Sequence, residues 1–337
     1  MEISSDKNSK SPQSIAEEAK KRADSDIKVS VICCKYDPDY LSAVPNYERA
    51  AKNYALVKDY KEEIYCREKL ALCHRHLKDT YSEGTNLEKV ANIYIQNLNL
   101  YEEAFVNIKN ATLAFRLKGD YQYEMNALIK LALNYREKKE LDYAEKTLQL
   151  AHEEILKIAH IVTLDKEHSY DYIYKAMTAY CVVLILQNKL KETISTCQDF
   201  IKVFEEFEDN KALIINFYGL IVISHILTED YDMIDSVFKE SKNICQKASD
   251  FDTMNNIYDC WTWMKEGNEE KFNLALRIVD VDYDNALIKK FKEFYKYYQG
   301  KKLKDVGKQQ FEEISLTSKK SGKETDIEGK NFADAQL

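Results

Sequence analysis

Four side chains able to ligate a metal fall within eleven residues: Cys66, Cys73, His74 and His76. Zinc is the chemistry they point to, because thiolates and imidazoles are its usual donors. The surrounding pattern is helical, however, and on one helix Cys66 and Cys73 share a face about 10 Å apart along the axis, at ~1.5 Å per residue. Two thiolates on one zinc lie within roughly 4 Å of each other, each bond being about 2.3 Å. Core cysteines and surface histidines are therefore expected, with no metal site. Cys33 and Cys34 read likewise as small hydrophobes rather than a redox pair. Ser321-Gly322-Lys323-Glu324-Thr325 echoes a phosphate-binding loop. It departs from one where it matters: Thr317 stands at the first glycine position, Glu follows Lys323, and no strand precedes it. No nucleophile, base and oxyanion-hole set can be assembled around six scattered histidines. The expectation is a non-enzyme that uses no cofactor.

The elements around these residues are read from hydrophobic spacing. Leu128, Leu131, Ala132 and Tyr135 sit at i, i+3, i+4, i+7; Ala144, Leu148 and Ala151 sit at i, i+4, i+7. Each set marks one apolar stripe of an amphipathic helix, and the polar gap near Lys138 to Glu140 joins the two as a hairpin. Small residues at 132, 144 and 151 let the backbones approach, the size pattern of a tetratricopeptide repeat. Forty residues earlier Tyr101, Ala104, Ile108 and Ala111 take the places of Leu141, Ala144, Leu148 and Ala151. Leu190, Thr193, Cys197 and Phe200 follow, then Tyr231, Ile234, Phe238 and Ser241. Such units cannot bury an apolar face alone. The expected fold is all-α: a tetratricopeptide-like α-solenoid of stacked antiparallel helical hairpins forming a twisted sheet and ending in a C-terminal helical bundle.

Composition agrees with an all-α chain. Of 337 residues 45% are hydrophobic, while 8 Gly and 3 Pro leave little material for β-turns. The eight cysteines show no framework spacing and the opening residues are polar, so a cytoplasmic location is expected. The apolar run from Ala212 to Leu227 carries Asn216, Ser224 and His225 and reads as a buried helix rather than a membrane span. Net charge is −8, unevenly placed: residues 199–284 hold 8 basic and 19 acidic side chains, residues 285–337 hold 12 and 8. The acidic stretch suits a basic partner and disfavours nucleic acid.

In order along the chain, residues 1–13 are expected to be disordered, 14–248 to form the repeat sheet, 249–300 the C-terminal bundle, and 301–337 a flexible tail. Ser14 with Glu17 is expected to cap the first helix. That helix should run through Val31 and Cys34 and carry a second apolar face, Val29, Ile32, Cys33 and Tyr36, in its last turns. That face either is packed between neighbours, is not helical, or touches a membrane or partner. Pro45 implies a kink, or a helix start near Val44. Short turns are expected at Gly119, Glu140, Asn188, Glu229 and Gly267.

The run Tyr36-Asp-Pro-Asp-Tyr-Leu-Ser-Ala, followed by Tyr47-Glu-Arg-Ala-Ala-Lys-Asn-Tyr, resembles the start of the soluble NSF attachment proteins and looks most like their gamma form. The resemblance continues through Glu68-Lys-Leu-Ala-Leu-Cys-His, the hairpins above, and Asp230-Tyr231 onward, covering roughly residues 15 to 300. It rests on many weak matches in order, with no single decisive motif. It implies an adaptor, monomeric alone, of which several copies wrap a SNARE four-helix bundle and recruit the hexameric ATPase NSF in vesicle transport. It also implies membrane contact at Val29, Ile32, Cys33 and Tyr36, and SNARE binding by Lys175 and by Lys130, which stands in for the departing Asn126. Glu266, with Glu269, Glu270, Asp280, Asp282 and Asp284, would face NSF. Leu337 is terminal, as is a leucine that promotes ATPase stimulation in the family, but it follows a long tail, and the resemblance leaves its equivalence open. A general peptide-gripping repeat scaffold is the alternative.

Overall fold

In the computed structural model the described residues are 10–29, 37–162, 169–205, 211–244, 251–279 and 285–304, with backbone alone for 158–162, 169–170 and 211–212. Among them every regular element is a helix. The chain divides into two compact units, Met1–Lys189 and Leu190–Leu337.

The first unit contains α1 (Pro12–Ile27), α2 (Tyr40–Leu56), α3 (Tyr60–His76) and α4 (Thr80–Ile93), which runs on as a π-helical turn over Tyr94–Leu98. It continues with α5 (Tyr101–Arg116), α6 (Tyr121–Glu137), α7 (Leu141–Val162) and α8 (Ser169–Leu186). Each helix packs antiparallel on the next, and α4 on α6, α5 on α7 and α6 on α8 stack at one repeat's distance. The stripe residues named above lie inside: Leu128, Leu131, Ala132, Tyr135, Ala144, Leu148 and Ala151 are all buried, as are Ala104, Ile108 and Ala111. The first three helices share a core in which Ala16, Ala19 and Ala23 meet Tyr47, Tyr54, Cys66 and Cys73. Alanines at that contact permit close backbone approach. Gly84 does the same further on, since a Cβ there would lie 2.7 Å from the Phe115 ring.

The turns share one design. Eight of them end a helix with a residue in the left-handed region: Lys58, Lys78, Asn99, Gly119, Lys139, Asn188 and Glu229, at φ between +55° and +77°, and Gly267 at +75°. Around Lys58, for example, Asp59 N–H donates to Tyr54 O and Lys58 N–H to Ala55 O, the two bonds of a Schellman cap. The next residue then caps the following helix: Asp59 accepts from Glu62 N–H and Asp79 from Ser82 N–H. Polar links one repeat apart tie the stack together, among them Asn134 to Asn92 and Lys138 to the Gln96 carbonyl.

The second unit holds α9 (Leu190–Glu205), α10 (Lys211–Leu227), α11 (Asp232–Ile244), α12 (Asp252–Glu266), α13 (Glu269–Val279) and α14 (285–304). Thr193, Cys197, Phe200, Ile234 and Ser241 are buried at the repeat positions. α14 docks through Gln299, which donates to the Met264 carbonyl, and through Lys301, paired with Glu229.

Several expectations are corrected. The first helix is capped by Ser11, whose hydroxyl accepts from Ser14 N–H, with Pro12 in the first turn; residues 1–9 lie outside the described residues. It ends at Ile27, Lys28 being extended. Val29, β-branched, follows outside the helix, and residues 30–36, with the rest of the expected second face, lie outside the described residues. α2 starts at Tyr40, capped by Asp39, and runs through Pro45; Asn46 Nδ2 bonds the Ser42 carbonyl beside it. α14 continues past Gly300 to 304.

Candidate functional site

A groove of about 150 Å³ lies in the first unit between α2 and α4, floored by α3, and three basic side chains line it against one acidic one, Glu48. Lys52 comes from α2, Arg67 and His74 from α3, and Ser82, Thr85, Asn86 and Lys89 from α4. Antiparallel stacking brings them together: every second helix faces the same way, so positions about forty residues apart become neighbours. Arg67 is fixed by buried Glu63, whose Oε1 accepts from its Nη2 at 2.6 Å and its Nε at 2.8 Å. Lys89 is held below the usual lysine range, first by partial burial and next by repulsion from Arg67, with a smaller push from Lys130; Glu88 and Glu48 oppose. A lysine so placed gains from an incoming anion. The arrangement can hold carboxylates or other anionic groups of a partner.

His74 is buried rather than at the surface, with Nδ1 3.3 Å from Asp79. His76 is exposed and stacks on Tyr40 at 4.1 Å. Cys66 and Cys73 lie in the core; burial pushes their thiols up to about 12 and about 11, which opposes the thiolate a zinc site requires. Among the described residues no group of three or more His, Cys, Asp or Glu side chains is placed to hold a metal.

The sequence-derived site residues fall in separate places. Lys130 projects from α6 beside the groove, its ammonium 2.7 Å from Glu88 of α4. Lys175 on α8 pairs with Asp171, one turn back, at 2.6 Å. Glu266 ends α12 while Glu269 and Glu270 open α13, so the three exposed carboxylates surround the turn at Gly267. Val29 is exposed just past α1. Ile32, Cys33, Tyr36, Asp280, Asp282, Asp284 and Leu337 lie outside the described residues. Lys52, Arg67 and Lys89 are the residues that sequence reading missed; they share no motif and belong to three helices.

No protein-family model matches the chain, and no curated protein matches it. Among solved structures it is similar to aspartyl phosphate phosphatase F from Bacillus subtilis, at 14% identity over 81% of this chain and 70% of that one, with a TM-score of 0.44. BtubC (BKLC) from P. vanneervenii is 13% identical over 69% and 88%, TM-score 0.35. A tetratricopeptide repeat protein from Parabacteroides merdae is 11% identical over 85% and 98%, TM-score 0.29. Likeness at these values carries no functional weight. The chain is a helical-repeat scaffold of tetratricopeptide type by the hairpins described above, and no helix among the described residues is long and apolar enough to cross a membrane.

Proposed function

We propose that this chain is an adaptor rather than an enzyme, acting in the way its sequence resemblance implies: it binds acidic SNARE helical bundles and recruits NSF to them. The observation that carries the reading is the cationic groove of Lys52, Arg67 and Lys89, with Lys130 beside it. SNARE bundles are acidic, and a groove whose lysine is destabilised by its own neighbours favours such a partner. The carboxylates of Glu266, Glu269 and Glu270, in the acidic stretch 199–284, support contact with a basic ATPase domain. Individual exposed pairs of this kind contribute under about 1 kcal/mol, so binding would draw on several contacts and several copies. The proposed setting is the cytoplasm, with peripheral membrane contact through Val29, Ile32, Cys33 and Tyr36. The test is co-sedimentation with NSF, with and without assembled SNARE complex, alongside ATP hydrolysis. SNARE-dependent recruitment and faster hydrolysis are expected; no recruitment at low salt overturns the reading. The same groove also fits a single acidic peptide, the alternative scaffold function, and binding of an isolated acidic peptide without any affinity for a helical bundle would favour that instead.

A further inference from the structure

The second unit holds a groove of the opposite sign. It runs between α9 and α11 over α10 and encloses about 470 Å³, within the roughly 300–1,000 Å³ of ligand-binding clefts. Buried Ile201, Ile221 and Val237 make its apolar base, and Met233 stands over it, 44% exposed. Its two ends differ. Glu205 and Glu240 line one end with Tyr218, whose hydroxyl donates to Glu240 at 2.9 Å; burial, then Glu240, then Glu205 hold that phenol above its ordinary range. Neither carboxylate has an ion-pair partner among the described residues. α9 ends at Glu205 and α11 ends one turn past Glu240, so the negative ends of two helix dipoles fall there as well. At the other end His225 is buried, and its Nδ1 makes no hydrogen bond although Asp230 lies 3.2 Å away.

Basic side chains do not cancel this charge. Lys202 on the α9 wall is paired with Asp199 at 3.0 Å, and Lys301 of α14 is taken up by Glu229. Lys191 lies two turns before Gln198 on the same side of α9, toward the end where Asp230 and Asp232 lead into α11. By helical phase Lys239 and Lys242 sit on the side of α11 turned away from Val237 and Glu240. Residues 190–244 hold 5 basic and 11 acidic side chains in all.

We propose that this groove takes a basic amphipathic helix of a partner protein. Met233 and Glu240 are seven residues apart on α11, about 10 Å at ~1.5 Å per residue. A complementary helix therefore lays apolar residues at i and i+3 or i+4 over Met233 and Val237, and brings Lys or Arg at i+7 or i+8 to Glu205 and Glu240. The flexible thioether of Met233 adapts to the apolar anchors. The same sign disfavours nucleic acid and anionic membranes. None of the residues that carry the adaptor reading is used.

The test is fluorescence anisotropy of the full chain with a labelled helical peptide carrying Leu at i, i+3 and i+4 and Lys at i+7 and i+8 on an alanine background. The same peptide with Glu in place of Lys is the control and should not bind. Glu205→Lys breaks no contact among the described residues and should weaken binding about fivefold at low salt; adding Glu240→Lys should bring the loss to about twenty-fivefold. Both losses should fade at high salt, whereas Met233→Ser should lose about fivefold at either. Asp259→Lys with Glu293→Lys makes the same change of charge at exposed sites outside the groove and should bind as wild type. Thermal unfolding checks that each variant folds. The proposal is overturned if the Glu peptide binds as well, if the outside pair weakens binding as much as the groove pair, or if Met233→Ser has no effect. A chain that self-associates, and stops doing so in Glu205→Lys, would give the groove to a second copy instead. SNARE-dependent NSF recruitment should be unchanged in Glu205→Lys, so either reading can fail without the other.

Discussion

Arg116→Ala is the most informative single perturbation of the first unit. Glu124 is completely buried, and its Oε1 accepts from Arg116 Nε at 2.7 Å and Nη2 at 2.5 Å, while Oε2 is buried without a hydrogen bond. The same guanidinium holds Glu154, also buried, at 3.1 Å. Removing it leaves a buried carboxylate without its counter-charge, which costs about 3–5 kcal/mol. Burial already raises the Glu124 pKa above its ordinary 4.5 while Arg116 pulls it down; without the arginine the rise is larger. A carboxyl that binds its proton more readily in the folded state gives its full stability below the unfolded pKa and loses it as pH climbs through the folded one. Urea unfolding of the full chain should therefore show a deficit that is largest at pH 7 and shrinks toward pH 5. Arg116→Met with Glu124→Leu should recover much of it, because the fully buried charge is then gone and Glu154 keeps Lys157 at 3.5 Å. Arg75→Ala is the internal comparison: Arg75 makes the corresponding pair with Glu83, also buried, at 2.7 Å, but the arginine is mostly in solvent and holds no second carboxylate, so its loss should be smaller. A loss under about 1 kcal/mol for Arg116→Ala, or one that does not change with pH, would refute this reasoning.

Other outcomes are as definite. Gly84→Ala should destabilise by about 1–3 kcal/mol despite alanine's better helix propensity, since the new methyl meets the Phe115 ring at 2.7 Å; a rise in Tm would contradict the close α4–α5 contact. Lys139→Gly should gain roughly 0.5–1 kcal/mol, because a residue with a Cβ is strained at φ +66°, and Gly119→Ala should lose a comparable amount; both are read from urea midpoints. Cys66, Cys73 and Cys260, whose thiols burial pushes up to about 12, about 11 and about 12, should resist iodoacetamide at pH 8 until the chain is unfolded. Native-state labelling at any of them, read by peptide mass spectrometry, would show that the core around it is open.

The repeat was legible because its inward residues obey one period, and Ala144, Leu148 and Ala151 are buried where that period puts them. Turn positions were partly legible. Gly119 and Gly267 announce a left-handed residue, and Asn188 and Glu229 were placed correctly, but Lys58 and Lys78 carry no turn chemistry of their own and adopt φ near +60° under the packing of the helices on either side. The end of α1 was misread because spacing alone carried its stripe past Ile27, where the helix stops and Lys28 turns extended; residues 30–36 lie outside the described residues. Sequence also placed His74 at the surface, although it is buried with its Nδ1 3.3 Å from Asp79, the residue that caps α4. The cationic groove was invisible for a different reason: Lys52, Arg67 and Lys89 become neighbours only when three helices stack. Lys130 was found, but as a single lysine rather than as part of that cluster.

The polar links of the first unit run one repeat along, Lys130 to Glu88, Asn134 to Asn92, Tyr143 to Glu102. Load entering such a stack passes from one hairpin to the next in series, because each touches only its neighbours. Pulled from its ends, the unit should not rupture at once. It should yield in a sawtooth, each released hairpin of about forty residues adding on the order of 130–140 Å of slack at ~3.3–3.6 Å per residue. Those steps would measure the strength of each inter-repeat seam separately, something no bulk unfolding curve resolves.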